Sequence, residues 1–519
     1  MSNPKDLDND PLKKQLAEEK TVYDNSKSLS MEGRKRNLSA IRMFNQSLIA
    51  DIDYSLKSVI WQITKLCFPT ALFVLGINLQ ITLSLIFIGQ KYDDPDMRDA
   101  IGISVLFINI LLISIVIGLN TGFELLGSNA HGKKDYRLLG IYMHRSKIVT
   151  FMICTVLAII VFVFIGDVCD LMEMNDNYKK YTIRFARVFI FVYIPEVQFR
   201  VNSTYLNIVD LAFVNTIIVL GTFLFHILDC YIFINWLELD TLGAGLSILI
   251  SQLLNAIIST LYIEYKKPIP ESIFWINKQC FYSLWDYLKI ALPSTVLLAT
   301  EWWAFEFLSI FAIMLGQRSY DAHVILFNMF MALCGSVFGF TTASTILVSN
   351  ALGQGNSKQA KRVFIITFIY GVSFQVILAL GLFIFKNFFI GLYTDDKELI
   401  DKASKVVNII GIMIIFDMSQ FFLNSYCKSC TKLCVTTIIC VVNFYCIQLS
   451  LAYVFSHVLE WDVFGIWFAI LMNEIILIIC YLIYVATFNY DEIVKAVQAK
   501  LQEDNDALDN YDRKSTMLH

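Results

Sequence analysis

Ser128-Asn129-Ala130-His131-Gly132 closes one long apolar run of this sequence, and Ser349-Asn350-Ala351-Leu352-Gly353 closes another, 221 residues later. The match extends outward at the same offset, with Gly118 on Gly339 and Thr121 on Thr342. Further out, Cys67-Phe68-Pro69-Thr70 resembles Ala291-Leu292-Pro293-Ser294, and Val214-Asn215 resembles Val442-Asn443. Several matches in order, at nearly constant offset, mark an internal repeat. The apolar runs are long enough to span a bilayer. They centre near Gly76, Leu112, Ala158, Val192, Thr222, Leu253, Trp302, Leu333, Gly371, Ile415, Gln448 and Leu477. A polar break at 266–288, with an amphipathic stretch from Ile273 to Leu288, divides them six and six. Six is even, so paired segments cross in the same direction and the repeats are parallel, related by an axis along the membrane normal. The expected fold is therefore an all-α polytopic membrane protein, with about twelve transmembrane helices in two six-helix lobes around a central cleft.

Composition agrees. Of 519 residues, 56% are hydrophobic and 17% charged, where a soluble protein carries about a quarter. A net charge of -4 gives no reason to expect a nucleic-acid partner. The expected organisation is a tail (1–55), an N-lobe (56–265), a linker (266–288), a C-lobe (289–487) and a second tail (488–519). The first tail has no apolar stretch of a signal peptide, so the first span targets the chain. Its basic Arg34-Lys35-Arg36 and the acidic Glu503–Asp512 stretch of the second are expected to be unstructured. Loops after even-numbered spans hold eleven Lys and Arg against eight on the other side. That bias places both termini in the cytoplasm of a plasma-membrane or endomembrane protein. The sequons at Asn37, Asn45 and Asn202 are compatible with that placement. The twelve cysteines read as small buried hydrophobes; no metal site is expected, Cys427, Cys430 and Cys434 included.

Charges inside the apolar runs mark the candidate site, because a carboxylate in a bilayer is costly and usually faces an internal cavity. Glu301 and Glu306 share the seventh span, in Glu301-Trp302-Trp303-Ala304-Phe305-Glu306. Five residues apart, they point about 140° from each other on an ideal helix, so the helix is bent or their roles differ. Trp302 and Trp303 are either lipid-facing bulk or the lining of a cation cleft. Asp417 lies mid-span in the tenth, and the 221 offset sets Glu196 opposite it. Glu196 has a plainer reading, a pair with Arg200 one turn on. Glu124 is either a capping or a functional acid; Asn328 is a neutral polar group at cleft depth; Glu474 is intramembrane and unassigned. His226 and Asp229 would form a buried pair or sit at the interface. Gly132 and Gly353 read as left-handed caps ending their helices. Pro69 and Pro293 are either first-turn prolines or kinks. There is no phosphate-binding loop, nucleophile elbow or metalloprotease His pair, so neither ATP nor enzymatic chemistry is expected.

These residues resemble the multidrug and toxic compound extrusion (MATE) family, eukaryotic branch, over residues 55–490. Pro293 followed by Glu301-Trp302-Trp303-Ala304-Phe305-Glu306 is similar to the family's seventh-helix proline and Glu-x-Trp-x-aromatic-Glu. Val348-Ser349-Asn350-Ala351-Leu352-Gly353 resembles its eighth-helix ending, and Gly118–Gly132 its second-helix segment. The resemblance implies rocker-switch alternating access and export of organic cations in exchange for protons or sodium; a monomer with no cofactor is expected. It assigns substrate and proton binding to Glu301, Glu306 and Asp417. Asn328 replaces an eighth-helix glutamate of animal members, and Leu347 replaces an arginine. The first span has Asn78 and Gln80 but no aspartate, which puts coupling through the first lobe in doubt. The alternative within the superfamily is a flippase for lipid-linked or anionic substrates, for which Arg184, Arg187 and Arg200 would be the cleft cations.

Overall fold

The computed structural model describes residues 56–92, 94–391 and 396–517. The sequons at Asn37 and Asn45 and the basic stretch Arg34-Lys35-Arg36 lie outside them. Residues 60–519 form one unit; of 1–59, only the first residues of α1 are described.

Eleven helices among the described residues are long and apolar enough to cross a membrane. They are α1 (Leu56–Lys91), α2 (Asp96–Gly132), α3 (Tyr136–Leu171), α5 (Ala212–Trp236), α6 (Asp240–Lys266), α7 (Leu284–Met314), α8 (Gln317–Gly353), α9 (Ser357–Gly391), α10 (Lys397–Ser429), α11 (Leu433–Val458) and α12 (Asp462–Ala486). A twelfth, α4 (176–208), is broken by a 3-10 turn at Ile190–Val192. It is more polar because it carries Arg184, Arg187 and Arg200. All twelve centres read from sequence fall inside these helices. A thirteenth helix, α13 (Tyr490–Met517), follows. It corrects the expectation that the acidic C-terminal stretch is unstructured. The apolar stripe of α13 has a surface to pack on, which composition does not reveal. The linker contains the amphipathic stretch Ile273–Leu288. It is irregular chain with a 3-10 turn at Lys278–Phe281, and α7 begins at Leu284.

The loops carry the repeat more sharply than the sequence does. Non-glycine residues with positive φ are uncommon, yet Asp210 recurs as Thr431, Glu238 as Glu460 and Asp240 as Asp462, each pair left-handed and 221 or 222 residues apart. Lys134 recurs in the same way as Gly355. Both prolines are interior, Pro69 in α1 and Pro293 in α7, so the first-turn reading does not hold. Each proline's carbonyl accepts a threonine hydroxyl from the partner helix: Thr216 on Pro69 at 2.7 Å and Thr437 on Pro293 at 3.2 Å.

Each lobe has its own core. In the N-lobe Leu112, Phe185, Phe189 and Cys230 pack together; in the C-lobe Leu308, Phe330, Ile414 and Trp467 do. All twelve cysteines are free, nine of them buried. Cys434 and Cys446 are exposed instead.

The lobes meet closely where α2 and α8 end. A Cβ on Gly118 would stand 2.6 Å from the Thr295 Cα of α7, and one on Gly339 would stand 2.4 Å from the Cys67 carbonyl oxygen of α1. At the tips, a Cβ on Gly132 would lie 2.1 Å from the Asn350 oxygen, and one on Gly353 would lie 2.1 Å from the Asn129 oxygen. This overturns the capping role. Gly132 and Gly353 are the last helical residues, and the left-handed positions are Lys134 and Gly355. What selects glycine here is that two backbones cross with no room for a side chain.

Candidate functional site

The centre of the C-lobe holds three buried carboxylates: Glu301 on α7, Asp417 on α10 and Glu474 on α12, each at most 4% exposed. Gln420, one turn beyond Asp417, donates Nε2 to Glu301 Oε1 at 3.4 Å. Cys334 Sγ of α8 approaches Asp417 Oδ2 at 4.0 Å. Glu474 Oε2 is enclosed without a hydrogen-bond partner. The three acids are close enough for their charges to bear on one another. Among the described residues none of them forms an ion pair with a lysine, arginine or histidine. Beside them, Asn473 donates to Gln448 at 2.9 Å, in a π-helical stretch of α11, Val442–Gln448. Such stretches widen a helix locally and recur at functional sites.

Three buried acids without a basic partner repel one another when charged, because desolvated like charges strongly disfavour one another. Buried acids of this kind are chemically able to hold protons or to be neutralised by a cation. Asp417 is about 16 Å along α10 from Lys428 at the closed end, so the site lies at mid-depth.

Glu306 stands apart from this cluster. It is half-buried, and its charge bears on the Tyr320 phenol of α8. Between the two glutamates, Phe305 stacks on Phe330 at 5.4 Å, which fixes α7 in rotation. The two acids therefore have different surroundings on a regular helix, as their spacing implied. Trp302 and Trp303 are half-buried, and the Trp303 indole nitrogen is enclosed without a partner. Asn328 is exposed and bonded to the Val324 carbonyl of its own helix at 2.9 Å. It is not brought to the acids; Cys334 is the α8 residue that reaches them.

The other two candidates are paired. Glu196 accepts both Nε and Nη2 of Arg200, at 3.1 and 2.5 Å, and the guanidinium lies 5.5 Å over Phe73. Glu124 reaches across the lobes to Lys428 Nζ at 3.3 Å, with both side chains largely buried. It thus belongs to the closed end and not to the carboxylate cluster. The α5 histidine does not pair with Asp229. His226 Nε2 is hydrogen-bonded with the Gln80 carbonyl at 2.7 Å, and Nδ1 with the Ser251 hydroxyl at 2.8 Å. Thr222 bonds Asn255 at 2.6 Å close by. The N-lobe thus carries a hydrogen-bonded polar cluster where the C-lobe carries acids.

Sequence reading left Glu474 unassigned and missed Lys428. Glu474 was visible as an acid in an apolar run, but nothing in the sequence named its neighbours. Lys428 is one of many basic residues near helix ends.

Known proteins agree with this architecture. The MatE family model matches residues 69–232 and 293–454, once in each lobe. Multidrug and toxin extrusion protein 1 of Homo sapiens is 23% identical over 77% of this chain and 70% of its own length. Protein DETOXIFICATION 14 of Arabidopsis thaliana is 26% identical over 61% of this chain and 65% of its own. The crystal structure of the eukaryotic MATE transporter AtDTX14 superposes with a TM-score of 0.81 at 18% identity, covering 86% of this chain and 99% of that one. With the repeat, the two lobes and the matched segments coinciding, the chain belongs to the MatE family and is a multi-pass integral membrane protein.

Proposed function

We propose that the protein exports organic cations in exchange for protons, by alternating access between two lobes. The observation that carries this reading is the cluster of Glu301, Asp417 and Glu474, buried and without a basic partner. Open to one side, the acids take up protons; open to the other, a cation competes for the same negative charge and the protons leave. Mutual exclusion at one site supplies the coupling. Within the cluster, the resemblance points to Glu301 by its seventh-helix motif and to Asp417 by its place in the tenth helix. Glu306, half-buried and separate, is assigned to cation binding. The names of the relatives, multidrug and toxin extrusion, support export of small molecules of foreign origin. The closed end is assigned to the cytoplasm from the lysine and arginine bias of its loops.

Sodium remains the alternative coupling ion, because the oxygens of Glu301, Asp417 and Gln420 are of a kind that binds hard cations. The flippase reading loses its motive: Arg184 pairs with Asp240 at 2.6 Å, Arg200 pairs with Glu196, and Arg187 lies 5.5 Å over Phe162. The test is purified protein in liposomes loaded with a fluorescent monocation, under a proton gradient and, separately, a sodium gradient. Flux driven by the proton gradient alone is expected. Flux driven by sodium alone would replace proton coupling, and flux under neither gradient would overturn the antiporter.

A further inference from the structure

The helix that composition made a tail crosses the junction between the lobes. Its residues Ile493, Val497, Leu501, Asp504 and Leu508 form one stripe, every member at most 2% exposed. From the middle of this face Gln498 Nε2 donates to the carbonyls of Gly353 at 2.6 Å and Leu352 at 3.2 Å. These are terminal carbonyls of α8 in the C-lobe, beyond the reach of regular i to i+4 bonding; that of Leu352 also accepts the Gly355 amide at 2.9 Å. Earlier in the helix, the Tyr490 ring lies 5.2 Å beneath Lys361 Nζ of α9, also in the C-lobe.

Seven residues beyond Gln498, about 10 Å along the helix, the contacts change lobe. Asn505 Nδ2 donates to Asp135 Oδ2 at 2.5 Å, while the other oxygen of Asp135 caps α3 at the Leu138 amide. Asp504 Oδ2 accepts the Tyr142 hydroxyl of α3 at 2.5 Å, and its other oxygen meets Lys500 at 3.3 Å. The buried Arg145 lies against the same tyrosine, 5.7 Å from its ring centre. One face of one helix thus holds the end of α8 and the start of α3. Between them lies the crossing where Gly132 meets Asn350 and Gly353 meets Asn129.

We propose that α13 is a strap that holds this end of the protein shut and must release one lobe before the end can open. The proposal rests on the alternating-access reading. The N-lobe anchors are the ones that let go: they are two side-chain pairs, whereas the C-lobe side adds main-chain carbonyls to its attachment. The strap makes closure of this end a property the C-terminal segment sets, separate from the state of the carboxylate cluster. It is autoinhibitory toward opening at this end.

The test is hydrogen exchange on the full chain in lipid nanodiscs, read at the α2 and α8 tips, residues 126–132 and 347–353. The double substitution Tyr142→Phe with Asn505→Ala removes both N-lobe anchors and leaves the apolar stripe intact. Exchange at both tips is expected to rise about tenfold, the consequence of losing two buried hydrogen bonds. The pair Glu503→Gln with Asp506→Asn, on the exposed face of α13, is expected to leave it unchanged. Exchange at the tips within about twofold of the unsubstituted protein overturns the strap. So does exchange raised throughout both lobes, since α13 would then be a general stability element. The readout needs no cargo, so failure of the strap is distinguishable from failure of cation export, which flux in the same preparation reads.

Discussion

Replacing Gly132 with alanine is expected to open the closed end without touching the carboxylate cluster. The new Cβ would stand 2.1 Å from the Asn350 oxygen and 2.8 Å from that residue's carbonyl carbon and Cα. All three are backbone atoms, so no side chain can rotate away, and α2 and α8 must move apart. Overpacking of this kind costs about 1–3 kcal/mol. If the strain is relieved only when the tips separate, the ratio of closed to open molecules falls by roughly 5- to 150-fold. Gly353→Ala is expected to match it, because its Cβ would meet the Asn129 oxygen at the same 2.1 Å. The double substitution is expected to cost clearly less than the sum, since one separation of the tips relieves both clashes. The assay is hydrogen exchange at the two tips together with thermal unfolding in nanodiscs. Gly102→Ala and Gly221→Ala provide the control: neither Cβ meets an atom within 4 Å, so both are expected to be neutral or slightly stabilising. Wild-type exchange and melting in Gly132→Ala would refute the close crossing as a gate. A strictly additive double would refute the shared displacement.

Further outcomes follow from the same geometry. Glu124→Gln leaves Lys428 largely buried without its charged acceptor and is expected to destabilise the closed end by about 1–3 kcal/mol. The exchange Glu124→Lys with Lys428→Glu should restore much of it, read by the same exchange assay. Thr216→Val and Thr437→Val each remove one hydrogen bond to a proline carbonyl and should each lower stability by about 1 kcal/mol, read by thermal unfolding. Glu196→Gln, paired with Arg200 and not part of the acid cluster, is expected to change protein stability more than the cation affinity. Glu306→Gln should raise the concentration of cation needed for half-maximal flux while a proton gradient still drives transport. Loss of all proton-driven flux in that variant would move Glu306 into the coupling site.

The fold was legible because the repeat is written into residues that cannot be exchanged freely. Glycines at the tips recur at one offset, and each half holds six apolar runs. The reason for the tip glycines was not legible: a cap and a backbone crossing both ask for glycine, and only tertiary structure separates them. The acids of the site were visible one by one, because charge in an apolar run stands out. Their grouping was not, since Glu474 comes from a helix with no motif and joins Asp417 and Glu301 only through packing. Asn328 looked equivalent by depth, but depth does not fix rotation, and it faces away from the acids. α13 was hidden because its buried stripe includes an acid, Asp504, whose partner Tyr142 is 362 residues away.

The central claim is that a proton and a cation compete for one cluster of acids. Its most direct test is proton release on binding. Purified protein in weak buffer is mixed with an organic monocation, and the pH change is read with an indicator dye. The account predicts roughly one proton released per cation bound, as neutrality of a desolvated site requires. The release should be lost in Glu301→Gln and in Asp417→Asn. Cation binding of normal affinity with no proton release in the unsubstituted protein would contradict it.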